Sequence, residues 1–209
     1  KVARLGPYNS MSAEVVYASK PDLVLASMDG NDPRLVTQLE ALGLRVLTVN
    51  SQSLKQIVHS MEVVAAALGD PDNARVSELR KTVRSTSPVG AREPKGPTVF
   101  VQIGWEPLVT VSRETYIDEL VRLAGGRGAF SEAPTKYPRP NPEEVIALNP
   151  DVIVICKLTD TSREAENARD FWLRFKQLKA VKAGRVHIMP VDWLTKPGLN
   201  LMQGIRELR

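Results

Sequence analysis

Four aromatic side chains stand just past predicted strand ends or in loops, where they could hold a ligand. Trp105 and Trp193 each follow an apolar strand, and Tyr8 and Tyr137 lie in proline-containing loops. In parallel sheets, ligands bind beyond the carboxyl ends of the strands. Amphipathic rings at that edge can clasp a large flat molecule at a low cost in conformational entropy. Any one ring alone would more simply fill a loop, but four rings spread over the chain favour a ligand-binding cleft.

The side chains that could catalyse a reaction form no set with the required spacing. The chain has no G-x-S-x-G turn and no Walker phosphate-binding loop. Its one cysteine, Cys156, ends an apolar strand, with neither His59 nor His187 near it in sequence, so we interpret it as a packed side chain. We assign His59 to a helix surface and His187 to a structural role within a strand. We therefore expect no enzymatic activity.

Cofactor sites are equally poorly supported by the composition. One cysteine and two histidines exclude a disulfide framework and a thiolate- or histidine-rich metal site. Glu143 and Glu144 resemble a carboxylate pair, but their position in the first turn of a predicted helix is better explained by helix capping. The sequence predicts neither a bound metal nor a resident cofactor.

The charge balance argues against a nucleic-acid partner. The 28 basic and 24 acidic residues alternate along the chain and give a formal charge of +4, whereas nucleic-acid binders gather their basic residues into a patch. The longest apolar run, Val63 to Leu68, is far shorter than the roughly 20 residues of a membrane-spanning helix. Because the chain opens at Lys1 without an apolar leader, we expect that a signal segment was removed or that the chain is a fragment.

Apolar runs bounded by turn signals predict buried parallel strands. The predicted strands are Leu23–Ala26, Val46–Val49, Val99–Ile103, Val152–Cys156 and Val186–Met189. Helical periods lie between them, with Ser53 and Asn141 as capping residues. Strands that alternate with helices predict an α/β fold with mostly parallel sheets.

An internal repeat divides the chain into two similar halves. AEVVYASKPDLVLA (13–26) matches PEEVIALNPDVIVI (142–155) at a shift of 129 residues, so that Pro21-Asp22 superposes on Pro150-Asp151. Each copy predicts a helix, a turn and a buried strand. The repeat predicts an N-terminal lobe over 1–69, a connecting helix and linker over 70–96, and a C-terminal lobe over 97–209. The alternative is a single open sheet in which the connecting helix is an ordinary crossover.

Several motifs resemble the type III periplasmic solute-binding proteins of ABC importers, which carry cobalamin, haem or ferric siderophores. These motifs, in chain order, are KPDLVLA (20–26), the Gly30-Asn31 turn, VFVQIGWEP (99–107), YIDELVRLAGG (116–126) and PEEVIALNPDVIVI (142–155). The VFVQIG strand and the Val191-Asp192-Trp193 turn are closest to the cobalamin-binding branch. The resemblance implies two Rossmann-like lobes joined by a single long backbone helix, with the ligand held between the lobes.

The resemblance also implies site residues, position by position. Tyr8, Tyr137 and Trp193 coincide with cleft aromatics of the cobalamin-binding branch. Ser27 and Thr48 stand where that branch has cleft tryptophans, and Trp105 replaces an aliphatic residue. Family members dock on the permease through an acid on the rim of each lobe; here Asp32 lies beside the N-lobe position, and Thr195 occupies the C-lobe position.

The resemblance implies that the protein is a carrier that delivers a corrinoid to an ABC permease. We expect the carrier to be a monomer and to be periplasmic, or exported and membrane-anchored. A first alternative keeps the class but changes the ligand to haem, held by a Tyr8 or Tyr137 phenolate, or to a ferric siderophore paired with Arg113 or Arg139. A second alternative is an interaction module derived from the carrier fold. An enzyme using an α/β cleft remains the option from a different class.

Overall fold

The structure is a computed structural model, and it describes residues 5–6, 11–28, 30–86, 95–157 and 163–209, without the side chains of 85 and 86. Within these ranges, each helix is too short or too polar to cross a lipid bilayer. Helices and strands alternate through both halves of the described chain.

The strands are β1 (Val24–Ser27), β2 (Val46–Val49), β3 (Thr98–Gln102), β4 (Arg127–Gly128), β5 (Val152–Lys157) and β6 (Val186–Pro190). The helices are α1 (Ala13–Ala18), α2 (Pro33–Ala41), α3 (Leu54–Ala67), α4 (Ala74–Thr86), α5 (Tyr116–Leu123), α6 (Pro142–Leu148), α7 (Glu164–Trp172), α8 (Lys179–Lys182), α9 (Val191–Leu194) and α10 (Leu201–Glu207).

Two separate parallel sheets form the two lobes. In the N-lobe, β1 pairs with β2, with Val24 opposite Val46. In the C-lobe, four strands pair in the order β4-β3-β5-β6, all of them parallel. The predicted α/β class with parallel sheets is therefore confirmed, and the alternative of a single open sheet is not what the described residues form.

The C-lobe sheet is buried on both faces, as a parallel sheet requires. One face packs Phe100 and Ile153 against Trp172 of α7. The indole Nε1 of Trp172 donates a hydrogen bond of 2.8 Å to Oε1 of Gln102, which satisfies two polar groups in the core. The opposite face contributes Val101 and Val154 to a second core, which is covered by α5, α9 and α10.

The internal repeat is present in the backbone as well as in the sequence. Lys20 and Asn149, equivalent at the shift of 129, are the two non-glycine residues of the described chain with positive φ, at 49° and 48°. Both amides donate to equivalent carbonyls, Lys20 to Tyr17 at 3.0 Å and Asn149 to Ile146 at 3.2 Å. The left-handed residue reverses the chain between the helix and the Pro-Asp turn.

The Pro-Asp turn of the C-lobe fastens two neighbouring strands. The Asp151 carboxylate accepts a hydrogen bond of 2.9 Å from the Thr98 amide, and the Asp151 amide donates to the Thr98 carbonyl at 2.8 Å. The Thr98 amide, helped by Lys179, lowers the pKa of the Asp151 carboxyl. An aspartate at this position therefore sets the register at which β5 enters the sheet beside β3.

The connecting helix α4 begins later than the sequence predicts. The expected start at Asp70-Pro71 is replaced by a turn, and the helix begins at Ala74. The reason is a better cap three residues on: the Asn73 side-chain oxygen accepts from the amides of Arg75 and Val76, at 3.1 and 3.2 Å.

Helices α3 and α4 pack into the C-lobe core. Leu54 and Ile57 of α3 and Leu79 of α4 belong to the same buried cluster as Val101 and Val154 of the C-lobe sheet. A polar contact reinforces this packing, because the Glu119 carboxylate of α5 accepts a hydrogen bond of 2.8 Å from the Leu54 amide at the start of α3. Helices α3 and α4 thus share a core with the C-lobe, whereas β1 and β2 pack in a separate cluster around Val16 and Leu39.

We predict that the Glu119 contact contributes measurably to stability. Glu119→Ala leaves the first amide of α3 without its charged acceptor and should lower the free energy of unfolding by about 1–3 kcal/mol. Urea unfolding at neutral pH would measure the loss. Glu143→Ala, an exposed first-turn acid of α6, is the matched control and should cost less than about 0.5 kcal/mol. Equal losses in the two variants would contradict a linking role for Glu119.

Candidate ligand-binding site

A depression of about 590 Å³ opens between the two lobes and is lined from both sides. The N-lobe contributes Ser27, Gly30, Ser51 and Gln52, and the C-lobe contributes Glu114, Thr115, Tyr116, Lys136, Tyr137, Thr195 and Pro197. The volume lies within the range of about 300–1,000 Å³ that is typical of small-molecule sites. We refer to this depression as the inter-lobe cleft.

The N-lobe wall is made by the loops that leave β1 and β2 at their carboxyl ends. The Ser27 amide donates a hydrogen bond of 2.8 Å to the side-chain oxygen of Asn31, which closes a tight turn after β1. After β2, Ser60 of α3 accepts from the Asn50 amide at 3.0 Å and donates to its carbonyl at 2.9 Å. A further hydrogen bond of 3.0 Å, from the Gln52 amide to the side-chain oxygen of Asn50, helps to position Ser51 and Gln52 at the cleft.

The C-lobe wall is built on the amino terminus of α5. The Thr115 hydroxyl caps this helix by accepting from the Asp118 amide, and it donates to the Ser112 carbonyl at 2.8 Å. The segment that carries Lys136 runs alongside, because the Ser112 amide donates to the Lys136 carbonyl at 3.0 Å. This pairing holds the neighbouring Tyr137 over the start of α5.

Tyr116 forms the floor of the cleft on the C-lobe side and is nearly fully buried, with 5% of its surface exposed. Burial raises the pKa of its phenol, and the neighbouring Tyr137 and Cys156 raise it further. The floor therefore presents a neutral phenol at all physiological pH values. The Cys156 thiol is buried at the end of β5, where desolvation raises its pKa to about 12.

The structure brings two of the predicted site residues together in the cleft. Ser27 and Tyr137 lie on opposite walls, one from each lobe. Tyr8 lies outside the described residues. Asp32 is exposed and caps α2, with its carboxylate accepting from the Arg34 amide at 2.9 Å.

Three other predicted residues do not line the cleft. Trp105 packs edge-to-face on Phe171, with ring centroids 5.1 Å apart, and borders a separate shallow depression. Thr48 lines a cavity between β2 and α3. Trp193 packs against the C-lobe core and borders a cavity beneath the sheet. Each ring follows a strand end, but sequence position alone does not give the direction in which the side chain leaves the strand.

The sequence reasoning missed most of the polar lining. Ser51 and Gln52 immediately precede the capping residue of α3, and Glu114 immediately precedes the capping residue of α5. Both are loops at the ligand-binding edge of a parallel sheet. Capping motifs at that edge were a usable signal for these residues.

Among the described residues, no group of three or more histidine, cysteine, aspartate or glutamate side chains is placed to hold a metal ion.

Comparison with known proteins identifies the family. The family described as "Periplasmic binding protein" matches residues 1–192 of this chain. This chain belongs to the periplasmic binding protein family. The vitamin B12-binding protein of Photorhabdus laumondii is 28% identical over 210 aligned residues, which cover all of this chain and 73% of that protein. The vitamin B12-binding protein of Yersinia pestis (strain Pestoides F) is 31% identical over 176 residues, 83% of this chain and 61% of that protein.

Solved structures of periplasmic binding proteins share the fold. The vitamin B12-binding protein BtuF of Vibrio cholerae superposes with a TM-score of 0.78 at 22% identity, over 99% of this chain and 80% of that one. The haem-binding protein BhuT, in complex with two haems, superposes with a TM-score of 0.80 at 24% identity, over 100% and 81% of the two chains. The fold predicted from the sequence resemblance, with two lobes built on parallel sheets, is therefore confirmed.

We predict that Cys156 is inert to thiol reagents in the folded protein. Raising the thiol pKa from 9.0 to about 12 lowers the thiolate fraction at pH 8 by about a thousandfold, and the thiolate is the reactive form. Labelling with a chromogenic disulfide at pH 8 would measure this, with the urea-unfolded chain as the reactive control. Because folding favours the neutral thiol, its contribution to stability should be full below pH 9 and decline above it. Rapid labelling of the native protein would contradict the burial.

Proposed function

We propose that this protein is the solute-binding component of an ABC importer and that it captures a corrinoid in the inter-lobe cleft without catalysing a reaction. The observation that carries the proposal is the composition of the cleft: two lobes of a periplasmic binding protein face each other across polar, hydrogen-bonding side chains and the exposed ring of Tyr137. The vitamin B12-binding relatives support the ligand class.

The charge of the cleft favours a corrinoid over more anionic ligands. Among the described lining residues, Glu114 and Lys136 are the charged side chains, and their charges cancel. A corrinoid ring carries neutral carboxamide groups, which can exchange hydrogen bonds with Ser27, Ser51 and Gln52. A haem carries two carboxylates and most ferric siderophores carry several anionic oxygens, so either would call for an excess of basic residues.

The cleft is smaller than a whole corrinoid, so the ligand would rest partly outside it. Tyr137 is about half exposed on the C-lobe wall, where its ring can contact one face or edge of the macrocycle. Tyr116 lies beneath it as a neutral hydrogen-bonding group. Binding would come from ring contacts and amide hydrogen bonds rather than from ion pairs.

The proposed partner is the permease of an ABC importer, and the proposed location is the periplasm or the outer face of a membrane. Asp32 is exposed two residues beyond Gly30 of the cleft rim, so it can meet a basic group of the permease. Its capping bond with the Arg34 amide leaves carboxylate capacity for a further partner. We propose that the carrier is a monomer.

Haem is the second candidate ligand, and Tyr137 is the observation that favours it. An exposed phenol in the cleft can supply a phenolate to haem iron. The siderophore alternative is less well supported, because Arg113 pairs with Glu132 at 2.5 Å and neither Arg113 nor Arg139 lines the cleft.

We predict that Tyr137→Ala weakens cyanocobalamin binding by about 5- to 30-fold, because a well-placed aromatic contact contributes about 1–2 kcal/mol. Isothermal titration calorimetry is the suitable measurement, since Trp105, Trp172 and Trp193 all lie outside the cleft lining. Tyr17→Ala is the matched control, because Tyr17 is equally exposed (51% against 49%) but lies on α1 away from the cleft.

The outcome distinguishes the proposals. Binding of cyanocobalamin that Tyr137→Ala weakens and Tyr17→Ala leaves unchanged supports the corrinoid carrier. A visible haem absorption band that Tyr137→Ala shifts, with no cyanocobalamin binding, favours the haem carrier. No binding of cyanocobalamin, haem or a ferric chelate at about 0.1 mM would overturn the carrier proposal and favour an interaction module.

A further inference from the structure

A second cavity, of about 760 Å³, lies beneath the C-lobe sheet. Its lining extends from Pro97 and Arg185, just before β3 and β6, to Met189 and Trp193 at and beyond the end of β6. It also includes the last turn of α5 and residues 207–209 at the carboxyl end of α10. We refer to it as the sub-sheet cavity. The two cavities share no lining residue, so a ligand in one need not contact a ligand in the other.

The floor of the sub-sheet cavity is apolar. Val99, Val152, Val154 and Met189 point to it from three neighbouring strands, and Val121 closes it from α5. All but Val152 are buried. Such a floor favours a flexible apolar body, since burial of a methylene group contributes about 0.8 kcal/mol.

The end of the cavity nearest the starts of β3 and β6, which we call its mouth, is basic. Arg185 immediately precedes β6 and His187 lies within it, and both line the cavity, as does Arg209. His187 is exposed here, which differs from the structural role that the sequence suggested. The acid at the mouth, Glu207, accepts a hydrogen bond of 2.7 Å from Gln203. No ion pair to Arg185 or Arg209 occurs among the described residues.

We propose that the sub-sheet cavity binds a medium-chain carboxylate, with the alkyl chain on the valine floor and the carboxylate at Arg185. The proposal rests on two complementary features: an apolar floor that excludes a fully polar ligand, and the exposed guanidinium groups of Arg185 and Arg209 in the cavity lining. Arginine presents a planar fork of donors that matches a carboxylate. The site is independent of the corrinoid proposal.

Trp193 provides an optical reporter for this cavity. Its indole is half-buried on the cavity wall, whereas Trp105 and Trp172 pack on the opposite face of the sheet. A ligand in the cavity therefore changes the surroundings of one tryptophan of three. Trp193→Phe should abolish the emission change and leave the heat of binding in place.

Titration of the 209-residue chain with decanoate, followed by calorimetry and by tryptophan emission, tests the proposal. We expect a dissociation constant on the order of 0.1 mM. Arg185→Gln should weaken binding about tenfold. Arg174→Gln, an exposed arginine of the C-lobe away from the cavity, should leave binding unchanged. Decanol, which keeps the chain and lacks the charge, should bind about tenfold more weakly than decanoate.

Three results would overturn the proposal. The first is no heat and no emission change with decanoate up to about 1 mM. The second is decanol binding as tightly as decanoate, and the third is an equal loss of affinity in Arg185→Gln and Arg174→Gln. A space-filling variant, Ala124→Phe at the cavity wall, gives an independent measure, since it should block decanoate while cyanocobalamin binding is unchanged.

Discussion

The buried cluster in which α3 and α4 meet the C-lobe sheet is the constraint on which the rest of the structure depends. Leu54, Ile57 and Leu79 lie in the same core as Val101 and Val154, so the helix that follows the N-lobe sheet is held by the other lobe. Separating the halves would expose this apolar surface to water. A hinge motion of the kind found in binding proteins with flexible connections would therefore be costly here. Packing thus holds α3 against the C-lobe, and with it the loop of Ser51 and Gln52 that leads into this helix.

The local geometry of each wall matters for binding, because each wall is a loop whose backbone is held by hydrogen bonds. Asn50 pairs with Ser60 on one side, and Ser112 pairs with Thr115 and Lys136 on the other. A backbone that is ordered before the ligand arrives lowers the entropy cost of binding.

The sequence predicts the elements of this fold well and the site only in part, and the difference has a physical cause. β2 was predicted to the residue and the caps Ser53 and Asn141 were correct, because strands, turns and caps are encoded by neighbours along the chain. The start of α4 was wrong by a few residues because the side chain of Asn73, not that of Asp70, accepts from the first amides of the helix.

The direction of a side chain at a strand end depends on distant packing partners. Trp105 follows β3 as predicted, but its ring packs against Phe171. Trp193 follows β6, but its ring lies beneath the sheet. The contact between Glu119 and the Leu54 amide joins residues 65 positions apart, and no local pattern indicates it. The resemblance to a known family placed Ser27 and Tyr137 at the cleft, Ser27 as the last residue of β1 and Tyr137 in a loop of the C-lobe.

The left-handed residues at 20 and 149 show what the two copies of the internal repeat have in common. Asn149 suits this conformation and uses its side chain to accept from the Lys179 amide at 2.9 Å, whereas Lys20 adopts the same φ with a residue type that rarely does so. The two halves carry different residues at this position, yet the bend in the chain is the same, because in both halves it leads from a helix through a Pro-Asp turn into a buried strand. One backbone conformation can therefore join the same two elements with side chains of different chemistry.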